Sequence, residues 1–321
     1  MKRTRFFVGA ALTVAFATTA LFFSCSSNDE LLVDDTSDRV AVKFAATEVS
    51  AQETRMENAT WGVGDAIGIY MIENDESTDN VVLEGAKNIK YTADNESGDL
   101  SVASSAKTIY YPVATPPVKV DFIAYYPYKS SLADWTEYPV DLTKQKPQSN
   151  IDLLWAKADN KGAGYDKSSK KVTLQFAHKL VKLHLKVQGS TDVTLPNNLG
   201  VSINDVYTTA NFDITTGELT PSNVSNITLL KTGGDADAGY DYEAILLPTD
   251  DTNEVTITFT VKSDIYTWQI STSSTATKIT KLEEGKKYDY IVTLAKHAIV
   301  ASGSITNWKS NKPNPVAITV D

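Results

Sequence analysis

The stretch KVTLQFAHKLVKLHLKVQ, residues 171–188, is the longest alternation of apolar and polar residues in the chain. Apolar side chains recur at every second position in both halves of the stretch, but the two halves differ in parity. A period of two places these side chains on one face of a β-strand, whereas an α-helix requires a period near 3.6. Because the parity changes, we predict a bulge or bend between His178 and Val181.

Shorter runs of the same kind fill the rest of the chain. AIGIYMI at 66–72 is a continuous apolar run, and EVTITFTVK at 254–262 alternates apolar residues with threonine. No segment beyond the N-terminal leader keeps a helical period over a useful length. These patterns predict an all-β fold. With 321 residues, of which 42% are hydrophobic, two β-sandwich domains are more plausible than one, and we place them at 40–189 and 190–321.

The first 24 residues have the composition of an export signal. Three basic residues occur among the first five, residues 6–23 are nearly all apolar or small, and Cys25, the only cysteine, follows directly. The apolar run is about the minimum length for a transmembrane anchor. The position of the cysteine favours a cleaved lipoprotein signal peptide over 1–24 instead.

The segment LFFSC at 21–25 resembles a bacterial lipobox, although Phe22 stands where leucine is usual. This resemblance implies cleavage before Cys25 and attachment of lipid, including palmitate, to that residue. Several acyl chains would give stable anchoring. The acidic tether at 25–39 resembles the surface-export signal of lipoproteins in certain Gram-negative anaerobes, which implies a surface-exposed lipoprotein of the cell outer membrane.

The charge balance argues against nucleic acid as a partner. The formal net charge is −10, and removal of the three basic residues in the leader leaves 27 basic and 40 acidic residues, a net of −13. A chain with this excess of acidic residues repels the phosphate backbone of a nucleic acid, and the sequence contains no basic stripe that would offset the repulsion.

The sequence predicts neither a metal site nor a cofactor. His178 and His184 lie six residues apart and could share a strand face, but no carboxylate stands at ligand spacing on that strand, and His297 is remote. The loop at 233–243 resembles a calcium loop, yet it lacks the glycine and glutamate that an EF-hand requires, so we predict a hairpin loop. A lone cysteine excludes an internal disulfide and a multi-cysteine zinc site.

No nucleophile elbow, P-loop or dinucleotide-binding fingerprint is present, and we predict that the protein is not an enzyme. A carboxylate pair brought together only in the fold is the one catalytic alternative that stays open. A group of aromatic residues between 110 and 138 could form a sugar-binding platform or belong to a core or interface, and the second reading is the more common. Its members are Tyr110, Tyr111, Tyr125, Tyr126, Tyr128, Trp135 and Tyr138.

Six short blocks, in a fixed order after the lipoprotein leader, carry a family resemblance. They are WGVGDAIGIY (61–70), VDFIAYYP (120–127), DLLWAK (152–157), LQFAHKLVKL (174–183), GKKYDY (285–290) and GSITNW (303–308). With this arrangement the chain resembles the fimbrillin-like lipoproteins, the subunits of type V pili in Gram-negative anaerobes. The resemblance implies two transthyretin-like β-sandwich domains in tandem and no catalytic residues.

It also implies that the protein is a structural subunit of a surface fimbria, or pilus, that serves cell adhesion. Other fimbrial subunits would be its partners, and assembly would proceed by donor strand exchange after an N-terminal strand is removed. Val40–Ala46 fits the temporary strand, and a trypsin-like protease would cut after Arg55, or less favourably after Arg39, which precedes the strand. The segment at 316–320 would be the donated strand. The alternative is a surface lipoprotein that binds glycan or host protein without polymerising.

Overall fold

The computed structural model describes residues 39–48, 61–74, 81–102, 108–272, 279–296 and 298–308. All of them lie in the unit Asp38–Asp321. The leader, Cys25, Arg55, His297 and the segment at 316–320 lie outside the described residues.

Seventeen strands and two short 3₁₀ helices account for the regular structure of the described ranges. The strands are β1 Phe44–Glu48, β2 Ala66–Glu73, β3 Ile89–Ala93, β4 Leu100–Val102, β5 Val120–Tyr126, β6 Tyr138–Asp141, β7 Leu154–Ala158, β8 Val172–His178, β9 Val181–Gly189, β10 Gly200–Asp213, β11 Glu218–Thr228, β12 Leu230–Asp235, β13 Gly239–Leu246, β14 Thr256–Val261, β15 Asp264–Gln269, β16 Lys286–Ala295 and β17 Ala298–Asn307. The 3₁₀ helices are Gln148–Asn150 and Ile270–Thr272. The predicted all-β fold is confirmed. No helix in the described ranges is long and apolar enough to cross a membrane.

The strands form three sheets. The first has seven strands in the order β1-β8-β7-β5-β2-β3-β4. The second has the order β11-β10-β14-β15, with β6 also paired to β10, and the third has the order β12-β13-β9-β16-β17. Most pairs are antiparallel, but β1 runs parallel to β8 and β9 runs parallel to β16.

The central strands of the first sheet are buried on both faces. Ile67, Ile69 and Met71 of β2 pack into one core, whereas Tyr70 and Ile72 of the same strand pack into another. Alternate residues of a strand point to opposite faces, so the first sheet has a core on each side. The second of these cores also contains the buried residues of the other two sheets.

The stretch at 171–188 divides into two strands that belong to different sheets. β8 ends at His178 and β9 begins at Val181, which is where the parity change predicted a bend. The chain passes from the first sheet to the third at this break. The proposed domain boundary at 189/190, and the tandem arrangement that it implies, stays a prediction.

Candidate functional site: the slot filled by the N-terminal strand

Strand β1 closes the first sheet upon itself. On one edge it pairs in parallel with β8, in a register that runs from Phe44 opposite Val172 to Glu48 opposite Phe176. On its other edge Ala45 forms an antiparallel bridge with Asp99, close to β4 at the far end of the same sheet. β1 therefore occupies the gap between the two ends of the sheet, and we call this gap the slot.

The residues just before β1 extend the same ladder. The Val42 amide donates a hydrogen bond to the Ile109 carbonyl oxygen at 2.9 Å, and the Tyr111 amide donates to the Val40 carbonyl oxygen at 3.0 Å. Ala41 forms an isolated bridge with Tyr110. The strand predicted at Val40–Ala46 is thus found slightly later, at Phe44–Glu48, because pairing with β8 begins only at Phe44.

The side chains of this segment alternate between the core and solvent. Ala45 is buried as well, but otherwise the burial alternates: Val42, Phe44 and Ala46 are buried, whereas Lys43 and Thr47 are exposed. This is the period-two pattern of a strand with one buried face.

Phe44 supplies the largest buried side chain of β1. Its ring meets Tyr91 at 5.1 Å and Phe122 at 5.0 Å between centroids, both in edge-to-face geometry. Edge-to-face pairs of this kind stabilise a core beyond the area that they bury. Phe44 is therefore the main apolar anchor of the strand in the slot.

Gly98 forms the closest wall of the slot. The Ala46 amide donates to the Gly98 carbonyl oxygen at 2.8 Å. Gly98 has a φ of +78°, and a Cβ built there would lie 2.0 Å from the Ala46 carbonyl oxygen. Only glycine combines this backbone conformation with so close an approach.

Of the two candidate processing sites, the structure describes Arg39 but not Arg55. The Arg39 guanidinium lies over the Tyr110 ring at 4.6 Å and 3.7 Å from the Glu84 carboxylate. Arg39 is therefore held against the folded unit, on the N-terminal side of β1. Arg55 falls in the segment 49–60 that joins Glu48 to Trp61 and lies outside the described residues.

His178 stands at the end of β8, where the slot lies close to Trp308, the last described residue. Its Nδ1 lies 2.8 Å from Asp152 Oδ1, and its Nε2 lies 3.6 Å from Glu48 Oε2, so the second contact is an ion pair rather than a hydrogen bond. Its ring stacks on Trp308 with centroids 4.0 Å apart and planes 6° from parallel. Burial by itself lowers the pKa of His178, but the carboxylates of Asp152 and Glu48 outweigh it and raise the pKa to about 9.

His184 lies in a different environment. It is on β9, where Nδ1 is 2.9 Å from Asp289 Oδ1 and Nε2 is 3.3 Å from Asp241 Oδ1. The expectation that His178 and His184 could share a strand face is wrong, because β8 ends at His178 and the chain then enters another sheet as β9. Among the described residues, no group of three or more His, Cys, Asp or Glu side chains is arranged to hold a metal ion.

The loop that resembles a calcium site is a hairpin turn. β12 and β13 pair across it, and the exposed Asp235 carboxylate accepts hydrogen bonds from the Asp237 and Ala238 amides at 2.9 and 2.7 Å. These two bonds lower the pKa of Asp235, because they favour its charged form. The predicted hairpin is confirmed.

The aromatic group between 110 and 138 belongs to the interior. Tyr111, Tyr125 and Tyr138 are buried, and the other four members are partly buried. The Tyr138 ring meets Tyr125 at 5.4 Å and Phe212 at 6.3 Å. These contacts support the core reading over an exposed sugar platform.

Sequence reasoning missed the opposite wall of the slot and the partner of His178. Gly98 occurs in a polar run, NESGD at 95–99, that reads as an ordinary turn. Trp308 belongs to one of the family blocks, but nothing in the spacing connects it to His178. Only the fold brings these distant residues to the N-terminal strand.

Comparison with known proteins establishes the family of this chain. The family model described as fimbrillin-like matches residues 54–308. A Bacteroides uniformis protein provisionally named fimbrium subunit Fim1C is 35% identical over 310 residues, which cover 93% of this chain and 94% of the relative. The chain therefore belongs to the fimbrillin-like family.

Solved structures agree with the fold. A crystal structure from Bacteroides uniformis, provisionally described as a cell adhesion protein, has a TM-score of 0.69 and 31% identity, and covers 85% of this chain and 99% of its own. A similarly described protein from Bacteroides ovatus has a TM-score of 0.64 and 24% identity, with coverage of 85% and 99%.

Proposed function

We propose that this protein is a subunit of a surface fimbria that polymerises when β1 leaves the slot and a strand from another subunit replaces it. The observation that carries the proposal is that β1 fills a gap between the two ends of one sheet. Membership of the fimbrillin-like family, and the fimbrial name of its Bacteroides uniformis relative, support the same role.

Removal of β1 would expose a surface that favours a new strand. The edge of β8 would lose five paired positions, from Val172 to Phe176. The apolar floor under Phe44, formed by Tyr91 and Phe122, would be uncovered as well. An unpaired edge above an apolar floor is the surface on which β-augmentation operates, because an added strand restores main-chain hydrogen bonds and buries alternate side chains.

The donor that we favour is the segment at 316–320, VAITV. Its first, third and fifth residues are apolar, and the same spacing separates Val42, Phe44 and Ala46 in the intact subunit. A donor with this pattern can bury one face in the slot and leave the other to solvent. Lipid on Cys25 would hold the subunit at the outer membrane until cleavage separates the anchor from the folded body.

Cleavage after Arg55 is the event that would release β1. A cut there separates β1 from Trp61 and the rest of the fold, whereas a cut after Arg39 leaves β1 joined to it. The four arginines of the chain stand at 3, 5, 39 and 55. An arginine-specific protease therefore cannot cut within the body that follows residue 55.

The test is to treat four proteins with an arginine-specific protease and to follow oligomers on unboiled gels. Wild type and Arg39→Ala should form ladders, since both can lose β1. Arg55→Ala should form none, because β1 stays attached. A chain that ends at 315 should be cut but should not extend, since it lacks the donor. Wild-type protein that is cut after Arg55 and remains monomeric for days would overturn the proposal in favour of a surface lipoprotein that does not polymerise.

A further inference from the structure

His178 contacts both the strand in the slot and the residue that follows β17. Glu48, which faces its Nε2, is the final residue of β1. Trp308, which stacks on its ring, directly follows β17. Proteolytic removal of β1 would therefore take away one of the two carboxylates around a buried imidazole that also supports Trp308.

We propose that His178 is a latch whose closed state requires Glu48, so that loss of β1 loosens Trp308 and the chain that follows it. This inference rests on the proposed function, since it gives the removal of β1 a second effect. The segment that begins after Trp308 includes the predicted donor at 316–320. A subunit would then offer its own donor readily only after its slot has been opened.

The geometry explains how Glu48 could act on Trp308. A buried imidazolium needs compensating negative charge, which Asp152 and Glu48 supply from two different elements. The charged ring is attracted to the face of the Trp308 indole, and that attraction weakens when the ring loses its proton. The closed latch is thus stabilised by the proton that the two carboxylates retain.

Trp308 is also tied to the fold through its backbone. Its side chain is 5% exposed, and its amide donates to the Gly285 carbonyl oxygen at 2.7 Å. The Gly285 amide donates in turn to the Leu180 carbonyl oxygen at 3.0 Å, two residues beyond His178. The stack and this pair of hydrogen bonds hold the end of β17 against the break between β8 and β9.

The charged residue that follows His178 in the chain is already paired. Lys179, next to His178, places its Nζ 2.5 Å from Glu284 Oε1. Glu48 and Asp152 are therefore the carboxylates that face the ring, one from β1 and one from the segment before β7. Only Glu48 is removed with β1.

The test uses Glu48→Gln in the full chain with β1 still attached. Loss of one adjacent carboxylate should lower the pKa of His178 by about one pH unit or more. Near neutral pH the ring would keep its proton in both proteins, so the variant should differ from wild type at a pH between the two pKa values, where only the variant has lost the proton that supports the stack. At a pH between the pKa values of His178 in the two proteins, a lysine-specific protease should release the peptide 310–321 several-fold faster from Glu48→Gln than from wild type, as measured by mass spectrometry.

Two controls separate the latch from general damage. Glu48→Asp keeps the charge and should restore most of the wild-type rate. His184→Gln removes the other histidine that lies between two carboxylates, away from the slot, and should leave the rate unchanged. ¹³C-histidine NMR follows the titration of His178 directly, since the chain contains only three histidines.

An unchanged rate of release in Glu48→Gln, or an unchanged His178 titration, would overturn the proposal. Equal rates for Glu48→Gln and Glu48→Asp would do so too, since they would indicate that β1 is dislodged by any change at this position. Because no polymer is measured, a failure of strand exchange would reject the proposed function and leave this result standing.

Discussion

Replacement of Phe44 by alanine should weaken the hold of the slot on β1 more than any other single truncation within that strand. The Phe44 ring is 3% exposed and meets Tyr91 and Phe122 edge to face. Truncation of a buried phenylalanine to alanine costs about 3–5 kcal/mol, and we expect the lower end because an edge strand can adjust its position. A loss of about 3 kcal/mol corresponds to roughly two orders of magnitude in the equilibrium for release of the strand.

The assay has two parts. Urea unfolding of the intact chain gives the change in the free energy of unfolding. Cleavage by an arginine-specific protease, followed by size-exclusion chromatography, gives the rate at which the fragment ending at Arg55 departs. Val63→Ala, at a position 73% exposed, is the control and should stay within about 0.5 kcal/mol of wild type. If the fragment left Phe44→Ala and wild type at the same rate, the ring would not be the anchor of β1.

Three further outcomes follow from the same structure. Gly98→Ala should speed amide exchange at 44–48, because the new Cβ would meet the Ala46 carbonyl oxygen. Gly162→Ala is the control and should not change this exchange, since Gly162 has a similar φ of +81° and open space around it. Equal exchange in the two variants would contradict the close contact between Gly98 and β1. His178→Gln should cost about 1–3 kcal/mol of unfolding free energy at acidic pH. Since the folded pKa of His178, about 9, exceeds the ordinary 6.5, this loss of stability should be complete below pH 6.5 and should vanish as the pH rises through 9. A loss of stability that stays the same at every pH in denaturant titrations would refute the prediction. Cys25→Ala should abolish metabolic labelling with fatty acid, and label that persists on the variant would exclude this cysteine as the lipid site.

Period-two patterns predicted the strands well because they record burial on one face, which is local information. They located β8 and β9 and the break between them. The start of β1 was displaced by four residues, because Val40–Lys43 has the same alternation as the strand but residues 40–42 pair with 109–111, and the register with β8 begins only at Phe44. Periodicity records which residues are buried, and it carries no information on which edge pairs with them.

The closure of the sheet could not be predicted for a related reason. The bridge between Ala45 and Asp99 joins the two ends of a sheet, and their separation is set by the path of the five strands between those ends. The stack of His178 on Trp308 joins the middle of the chain to its last described residue. Neither contact leaves a periodic signal, and Gly98 is recognisable as a wall only when the backbone opposite it is known.

A strand bonded along both edges has a mechanical consequence. A pull across its length would peel hydrogen bonds one at a time, whereas a pull along its axis would load every rung of the ladder together, in shear. In the slot, β1 has β8 on one side and residues 98–99 on the other, and the residues just before β1 pair with 109–111. Any strand seated there in the same way would resist axial tension with both rows of bonds at once, so such a joint would be strongest along the axis of the strand.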